Sequence, residues 1–223
     1  MEKLVLFGDS IFDNAAYSGK DQSVIACLER ELDGSAACEL KAIDGNITRQ
    51  VHAQLKHIPR DATRIFISSG GNDALGVQYH LEGLLMPDAE ILRNLMKHGL
   101  KDAVNIIHVL ATIQAEFRHN YRRMLKQAAG SKLPITVCTI YDSVPTLEVW
   151  HKAALSLFND VIIGEALNVG ADIIDLRAIC NEPDDYAEIS PIEPSAKGSK
   201  KIASAIIRAS SYSDAAVSRI FGR

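Results

Sequence analysis

The stretch Leu4-Val5-Leu6-Phe7-Gly8-Asp9-Ser10 decides the fold, because a short hydrophobic run passes straight into a glycine, an acid and a serine. A short, almost continuous apolar run that ends at a glycine is typical of a strand covered on both faces. Open α/β sheets place their functional sites at the carboxyl ends of such strands. We therefore expect the hydroxyl of Ser10 to lie at the functional edge of a parallel sheet.

Two later segments repeat this order of strand, glycine and polar residues. Ile65-Phe66-Ile67-Ser68-Ser69-Gly70-Gly71-Asn72-Asp73 is a second buried strand that ends in two glycines and an Asn-Asp pair. Between it and the first strand, the strand-like run 40–43 leads into Asp44-Gly45-Asn46-Ile47-Thr48. Because the carboxyl ends of parallel strands share one edge of the sheet, all three segments are expected to meet there.

The rest of the chain continues the alternation of strands and helices. The strand-like runs are 4–7, 40–43, 64–68, 135–140 and 171–176, and the helical patterns are 22–32, 48–56, 102–129, 148–169 and 195–209. This alternation predicts a three-layer α/β/α fold with a five-stranded parallel sheet, similar to flavodoxin in outline. We expect a single domain over 1–223, in which the tail 210–223 either packs late or hangs loose.

Composition restricts the classes of function. The 223 residues are 47% hydrophobic and 23% charged, with a net charge of −4, as in an ordinary soluble globular protein. No basic stripe indicates a nucleic-acid partner, and no apolar run approaches the roughly 18 to 20 residues of a membrane span. Met1-Glu2-Lys3 leads directly into a strand, so we expect no secretory leader and a cytoplasmic protein.

The four cysteines show no Cys-x-x-Cys spacing, and no other ligand spacing indicates a metal site. We interpret the cysteines as small buried hydrophobic residues in a reducing compartment. The irregular segment 76–101 has two interpretations, a lid or specificity loop beside the site and a helix that packs on the edge of the sheet.

The three strand-end segments resemble the SGNH (GDSL-type) hydrolase family, whose four blocks are a nucleophilic serine, a glycine, an asparagine and a late Asp-x-x-His. Ser10, Gly45 and Asn72 stand where the first three blocks would place them. The resemblance implies the SGNH hydrolase fold and cleavage of a small-molecule carboxylic ester, by an esterase, a lipase or a carbohydrate deacetylase. It also implies that Ser10 attacks the ester, while its own N–H, the Gly45 N–H and the Asn72 amide hold the oxyanion. No organic cofactor or metal is implied.

The fourth block departs from the family pattern. It is Ser190-Pro191-Ile192-Glu193-Pro194-Ser195-Ala196-Lys197-Gly198, with Glu193 in place of the histidine and Ser190 in place of the aspartate. A glutamate with an ordinary pKa near ~4.3 is a weak base unless burial raises that pKa. If Glu193 is the base, it should be partly desolvated and lie against Ser10.

Other polar residues are weaker candidates. Asp9 and Asp73 are candidates to contact substrate. Paired carboxylates or metal ligands are a disfavoured interpretation, because each acid follows a glycine-rich turn and is more typical of a residue that caps a helix or braces the turn. His80 and His98 lie in the irregular segment, which can fold over the site, and His80 is the best histidine to replace the missing base. Ser190 and Tyr186 are candidates to line the pocket. The histidines of the helical patterns are more typical of surface or core-edge positions, namely His52, His57, His108, His119 and His151.

Two further functions remain open on the sequence. One is a catalytically silent protein of the same fold that binds an ester-like or sugar-like ligand. The other is a flavodoxin-like nucleotide or phosphate binder, since glycines at strand ends also suit phosphates. The sequence contains neither Gly-x-x-x-x-Gly-Lys nor Gly-x-Gly-x-x-Gly, which counts against the phosphate binder.

Overall fold

The computed structural model describes residues 1–77, 89–212 and 218–222, with the backbone alone described for 89–106. Its main sheet has six parallel strands in the order β2-β1-β3-β4-β5-β8. They are β1 (Glu2–Gly8), β2 (Ala36–Leu40), β3 (Arg64–Ser68), β4 (Ile135–Cys138), β5 (Asp172–Ile174) and β8 (Ile220–Phe221). β6 (Tyr186–Ala187) and β7 (Ser190–Pro194) form a separate antiparallel pair. The predicted α/β fold is confirmed.

Helices cover both faces of the sheet. They are α1 (Ala15–Ser18), α2 (Val24–Leu32), α3 (Thr48–Gln54), α4 (Ala89–Ala129), α5 (Val149–Asn168), α6 (Leu176–Ile179) and α7 (Ala196–Ser210), and residues 71–77 are also helical. Successive side chains of a strand point to opposite faces. Leu4 and Leu6 of β1 accordingly pack in the core under α2 and α7, while Val5 and Phe7 pack in the core under α3, α4 and α5.

The sheet has one strand more than the five predicted, because β8 pairs with β5 at the edge of the sheet opposite β2. Ile220 and Phe221 pair with Ile173 and Ile174 of β5, and the Arg219 N–H donates to Asp172 Oδ1 at 2.7 Å. A two-residue strand carries too little periodicity to be recognised in a polar, small-residue sequence. Residues 218–222 of the tail therefore lie against the sheet, and 213–217 lie outside the described residues.

Two other boundaries differ from the prediction. β2 is Ala36–Leu40, so it ends where the predicted strand 40–43 begins. The half-buried run Ala36–Leu40 was not recognised as a strand because it contains alanine and glutamate, which are weak strand formers. The long helix starts at Ala89 rather than near 102, so the later half of the irregular segment is helical. His80 and the rest of 78–88 lie outside the described residues.

All four cysteines are free thiols, and Cys27, Cys138 and Cys180 are buried. Among the helices of the described ranges, none is both long enough and apolar enough to cross a bilayer.

Candidate active site

The end of β1 is held in place from two sides. A Cβ on Gly8 would lie 2.1 Å from the carbonyl oxygen of Ser68, and the φ of Gly8 is +141°, so only glycine allows β1 and β3 to approach here. The side-chain amide of Gln54 accepts from the Gly8 N–H at 2.9 Å and donates to its carbonyl at 2.8 Å. These contacts fix the backbone two residues before Ser10.

Asp9 braces the turn that carries Ser10. Its Oδ1 accepts hydrogen bonds from the Ser68 hydroxyl at 3.0 Å and from the Ile11 N–H at 3.2 Å. Burial raises the pKa of Asp9 to about 7, against the opposite effect of these two hydrogen bonds. The turn-bracing contacts are those expected from the sequence, and Asp9 also lines the cavity described below.

Asp73 and Asn72 join the third block to the second. Asp73 Oδ2 accepts from both the N–H and the hydroxyl of Thr48, at 2.8 and 2.9 Å, and burial raises its pKa. Asn72 Nδ2 donates to the Asn46 carbonyl at 3.1 Å. Gly45 precedes Asn46 in an exposed turn with a φ of +76°, a conformation that favours glycine. Gly45 is thus next in sequence to the residue that Asn72 contacts, but neither Gly45 nor Asp73 is among the described residues that line the cavity of Ser10.

Glu193 reaches the site from β7 near the far end of the chain. It is only 5% exposed and lines the same cavity as Ser10. Burial raises the pKa of Glu193 to about 7, the interaction with Ser10 lowers it, and the charges of Asp9 and Asp44 raise it further. Within the described residues, Glu193 Oε2 is buried without a hydrogen-bond partner. The carboxyl group is thus desolvated in the cavity that Ser10 also lines.

Two buried side chains that sequence reasoning missed hold the segment around Glu193. The Tyr141 hydroxyl donates to the Ile192 carbonyl. Asn14 Nδ2 donates to the Pro194 carbonyl at 3.2 Å and to Ser199 Oγ at 2.6 Å, while Asn14 Oδ1 accepts from the Val24 N–H at 2.9 Å. Because Asn14 follows Ser10 by four residues, it couples the serine loop directly to the loop of Glu193.

The Pro-Ser-x-x-Gly sequence after Glu193 has a local explanation. Ser195 is the N-cap of α7, and its hydroxyl accepts from the N–H groups of Lys197 and Gly198 at 3.2 Å. A Cβ on Gly198 would lie 2.2 Å from the Asp185 carbonyl oxygen, so glycine permits α7 to pack against that loop. This arrangement fixes the direction in which the chain leaves Glu193.

Ser190 lies at the other end of β7, where it pairs with Ala187 of β6, and it is half-buried. Tyr186 packs edge-on against Tyr141 at 5.0 Å between ring centroids and donates to the Cys180 carbonyl at 2.6 Å. Neither Ser190 nor Tyr186 is among the described residues that line the cavity containing Ser10, Asn72 and Glu193.

Ser10, Asn72 and Glu193 line one cavity that is partly open to solvent. His151 of α5, which the sequence places with surface or core-edge histidines, also lines it, next to Trp150. His151 Nδ1 accepts from the Glu148 N–H at 3.1 Å. No sequence signal separates His151 from the other helical histidines, because only the tertiary fold brings it to the cavity.

Within the described parts of the chain, one group of acids lies close enough together to hold a metal ion, namely Glu182, Asp184 and Asp185. Lys197 binds the first two of these carboxylates, and Lys201 binds Glu182 and Asp185. The cluster is therefore a network of ion pairs at the start of α7.

No protein-family model matches the sequence, and no curated protein is significantly similar to it. Solved structures do match. The α/β hydrolase LAE5 from the metagenome of Lake Arreo has a TM-score of 0.68 at 19% identity, over 94% of this chain and 95% of that one. The acetyl xylan esterase AlAXEase matches with a TM-score of 0.65 and 14% sequence identity, over 93% of this chain and 98% of that one. The lipase Lip_vut3 from a goat rumen metagenome matches with a TM-score of 0.65 and 19% sequence identity, over 96% of this chain and 100% of that one. This chain therefore shares, over nearly its whole length, the fold of these three hydrolases.

Proposed function

We propose that the protein hydrolyses carboxylic esters through an acyl-enzyme on Ser10, with Glu193 as the general base. The observation that carries this proposal is the burial of the Glu193 carboxyl group in the cavity that Ser10 and Asn72 also line. A general base is most effective when its pKa lies near the working pH. With its pKa raised to about 7, Glu193 meets the requirement that histidine usually fulfils beside a serine nucleophile.

In the proposed reaction, Ser10 Oγ attacks the ester carbonyl carbon while Glu193 accepts the hydroxyl proton. The tetrahedral intermediate then breaks its bond to the alcohol, which leaves with the proton from Glu193. Water attacks the acyl-enzyme, Glu193 accepts the proton of that water, and the acid is released as the proton returns to Ser10 Oγ. The ester and one water molecule are the only reactants that the two steps consume.

The oxyanion of each intermediate needs hydrogen-bond donors already in position. The donors in the proposal are the N–H groups of Ser10 and Gly45 and the side-chain amide of Asn72. An amide nitrogen carries two protons, so the bond from Asn72 to the Asn46 carbonyl orients the group and leaves one proton for the substrate. The shared fold with an acetyl xylan esterase and a lipase is consistent with this chemistry.

A second candidate is a protein of the same fold that binds an ester-like or sugar-like ligand without turnover. One observation favours it. Ser190 stands where the family has the acid that orients the base, and Glu193 Oε2 has no hydrogen-bond partner within the described residues. A base without an orienting partner is less well positioned than the histidine of a triad.

The two candidates differ in the reactivity of Ser10 toward a fluorophosphonate, measured by intact mass across roughly pH 5 to 9. Hydrolase function requires stoichiometric labelling that Ser10→Ala abolishes and Glu193→Gln greatly slows. Glu188→Gln, an exposed glutamate five residues away, is the matched control and should label normally. Absence of labelling in the unmodified protein at every pH would overturn the hydrolase proposal in favour of ligand binding.

A further inference from the structure

Beyond Ser10, Asn72 and Glu193, the wall of the cavity is largely hydrocarbon. The apolar side chains come from the helical residues 71–77, from the loop after β4 and from α5. They include Ala74, Val77, Val144, Leu147, Leu155 and Phe158. The groups proposed to react therefore share a cavity whose remaining lining is suited to apolar ligands.

The hydroxyl groups on this wall are engaged by the protein itself. Ser68 donates to Asp9 at 3.0 Å, and the Ser69 hydroxyl shares a hydrogen bond with Thr48 at 2.9 Å. Thr139 donates to Asp175 and accepts from the Leu176 N–H, both at 2.9 Å. These bonds compete with any sugar hydroxyl for the same partners.

Two ring nitrogens of the cavity wall, Trp150 Nε1 and His151 Nδ1, form hydrogen bonds with Glu148. Trp150 Nε1 donates to Glu148 Oε2 at 3.1 Å, and His151 Nδ1 accepts from the Glu148 N–H. The two rings stack with centroids 3.5 Å apart. Aromatic rings arranged in this way add to the apolar surface that a ligand can contact.

We propose that this cavity binds a hydrocarbon chain of the ester substrate, longer than acetyl, with the ester carbonyl at Ser10. The inference deepens the proposed function and rests on it. The chain belongs either to the acyl group or to the alcohol, since both meet at the carbonyl carbon. An apolar chain gains from burial at every methylene, whereas a polar ligand must replace hydrogen bonds that the wall already makes.

Two series of esters distinguish the sources. In one series the acyl chain of a p-nitrophenyl ester lengthens from acetyl to dodecanoyl, and in the other the alcohol of an acetate ester lengthens over the same range. Each added methylene that enters the cavity should raise kcat/KM by about fourfold until the cavity is filled. A rise in the first series assigns the cavity to the acyl chain, and a rise in the second assigns it to the alcohol.

Ala154→Trp is designed to fill the cavity, because the half-buried Ala154 lines it from α5. The ratio of kcat/KM for the decanoate and acetate esters should then fall toward one. Ala153→Trp places the same side chain on the exposed surface of the same helix and should preserve the ratio of the unmodified protein. Equal ratios in both variants would overturn the inference.

A binding measurement separates failure of the cavity from failure of the chemistry. Ser10→Ala should bind decanoate more tightly than butyrate in isothermal titration calorimetry, and Ala154→Trp in that background should remove the difference. If kcat/KM does not depend on chain length in either series, the inference about the cavity is overturned while the proposed esterase activity stands. If decanoate binds but the protein shows neither hydrolysis nor fluorophosphonate labelling, the proposed esterase activity is overturned while chain binding in the cavity stands. If binding itself does not depend on chain length, the inference about the cavity is overturned.

Discussion

The side-chain amide of Gln54 makes two hydrogen bonds with the backbone of Gly8, one to its N–H at 2.9 Å and one to its carbonyl at 2.8 Å. Gln54 is the last residue of α3, and Gly8 is the last residue of β1. The amide thus pairs with the strand end as a neighbouring strand would. The position of Ser10 depends on a side chain that lies more than forty residues away in sequence.

Replacing this amide should affect both stability and turnover. Gln54→Leu leaves the partly buried Gly8 N–H without this partner and removes one of the bonds to its carbonyl. The free energy of unfolding in urea should fall by about 1–3 kcal/mol. The kcat for a p-nitrophenyl ester should fall more than KM rises, because the nucleophile loses its alignment. Lys56→Leu, at an exposed position two residues later, is the control. Equal kcat in the two variants would contradict the positioning role.

The pH dependence of kcat/KM should follow the ionisation of Glu193. The base works as the carboxylate, so activity should rise with pH to a plateau, with a midpoint near the pKa of about 7. The charge of Asp9 helps to raise that pKa, and Asn in its place can still accept from Ser68 and Ile11. Asp9→Asn should therefore move the midpoint to lower pH. A midpoint that is unchanged or higher would argue against this electrostatic coupling.

The same two carboxyl groups should make the protein less stable as pH rises toward neutrality. Asp9 and Glu193 have a pKa of about 7 when folded but near ~4 when unfolded, so between these values the folded state holds more protons. The free energy of unfolding should then decrease from about pH 4.5 to 7, by a few kcal/mol in order of magnitude.

Urea denaturation at about pH 5 and pH 7.5 tests this dependence. Glu193→Gln removes one of the two titrations and should reduce the difference between the two pH values. Groups with a lowered pKa, such as Glu182 at about 2, are ionised in the folded state throughout this range and titrate near ~4.3 when unfolded, so they contribute little to the difference between pH 5 and pH 7.5. If Glu193→Gln shows the full pH dependence of the unmodified protein, Glu193 does not have the raised pKa.

Asn14 should be essential to both stability and the site. Asn14→Leu keeps the size of the side chain but leaves the Pro194 carbonyl, Ser199 and the Val24 N–H without this partner. We expect a loss of about 3 kcal/mol in the free energy of unfolding. Asn181→Leu is the matched control, because the buried Oδ1 of Asn181 has no hydrogen-bond partner within the described residues. It should cost little stability, and similar losses in both variants would contradict the role of Asn14.

The packing of α7 can be tested with two glycines. Gly198→Ala places a Cβ 2.2 Å from the Asp185 carbonyl oxygen, and we expect a loss of about 1–3 kcal/mol from the shift this forces. In Gly164→Ala, within α5, the nearest atom lies 3.7 Å from the new Cβ, so the better helix propensity of alanine should dominate. Thermal unfolding should show a lower midpoint for Gly198→Ala and an unchanged or higher one for Gly164→Ala. The reverse order would contradict the close packing of α7.

The sequence was most informative where a local pattern determines the structure. Ser10 and Asn72 could be placed together because each follows a buried strand of one parallel sheet. Glu193 could be placed because Pro194, Ser195 and Gly198 mark a loop that enters a helix. The strand order then brings these segments to a single edge, as the alternation of strands and helices implies.

Residues whose importance depends on tertiary contact could not be identified in this way. Gln54, Asn14 and His151 lie in helices or beside them and have no distinguishing local pattern. The amide of Gln54 and that of Gln50 look alike in the sequence, yet only the former reaches Gly8, while the latter bonds the Ile47 N–H. The sixth strand was missed for a related reason, because Ile220 and Phe221 become a strand only through pairing with β5.

The hydrogen bond between Asn14 and the Pro194 carbonyl joins residues 180 positions apart. During synthesis, the serine leaves the ribosome before the proposed base, which follows only after the intervening strands and helices. A nascent or prematurely terminated chain that stops before Glu193 therefore carries the nucleophile without its partner, and it should have no esterase activity even if its first strands have already paired. Activity at Ser10 would then report that these two distant parts of the polypeptide are present and folded together.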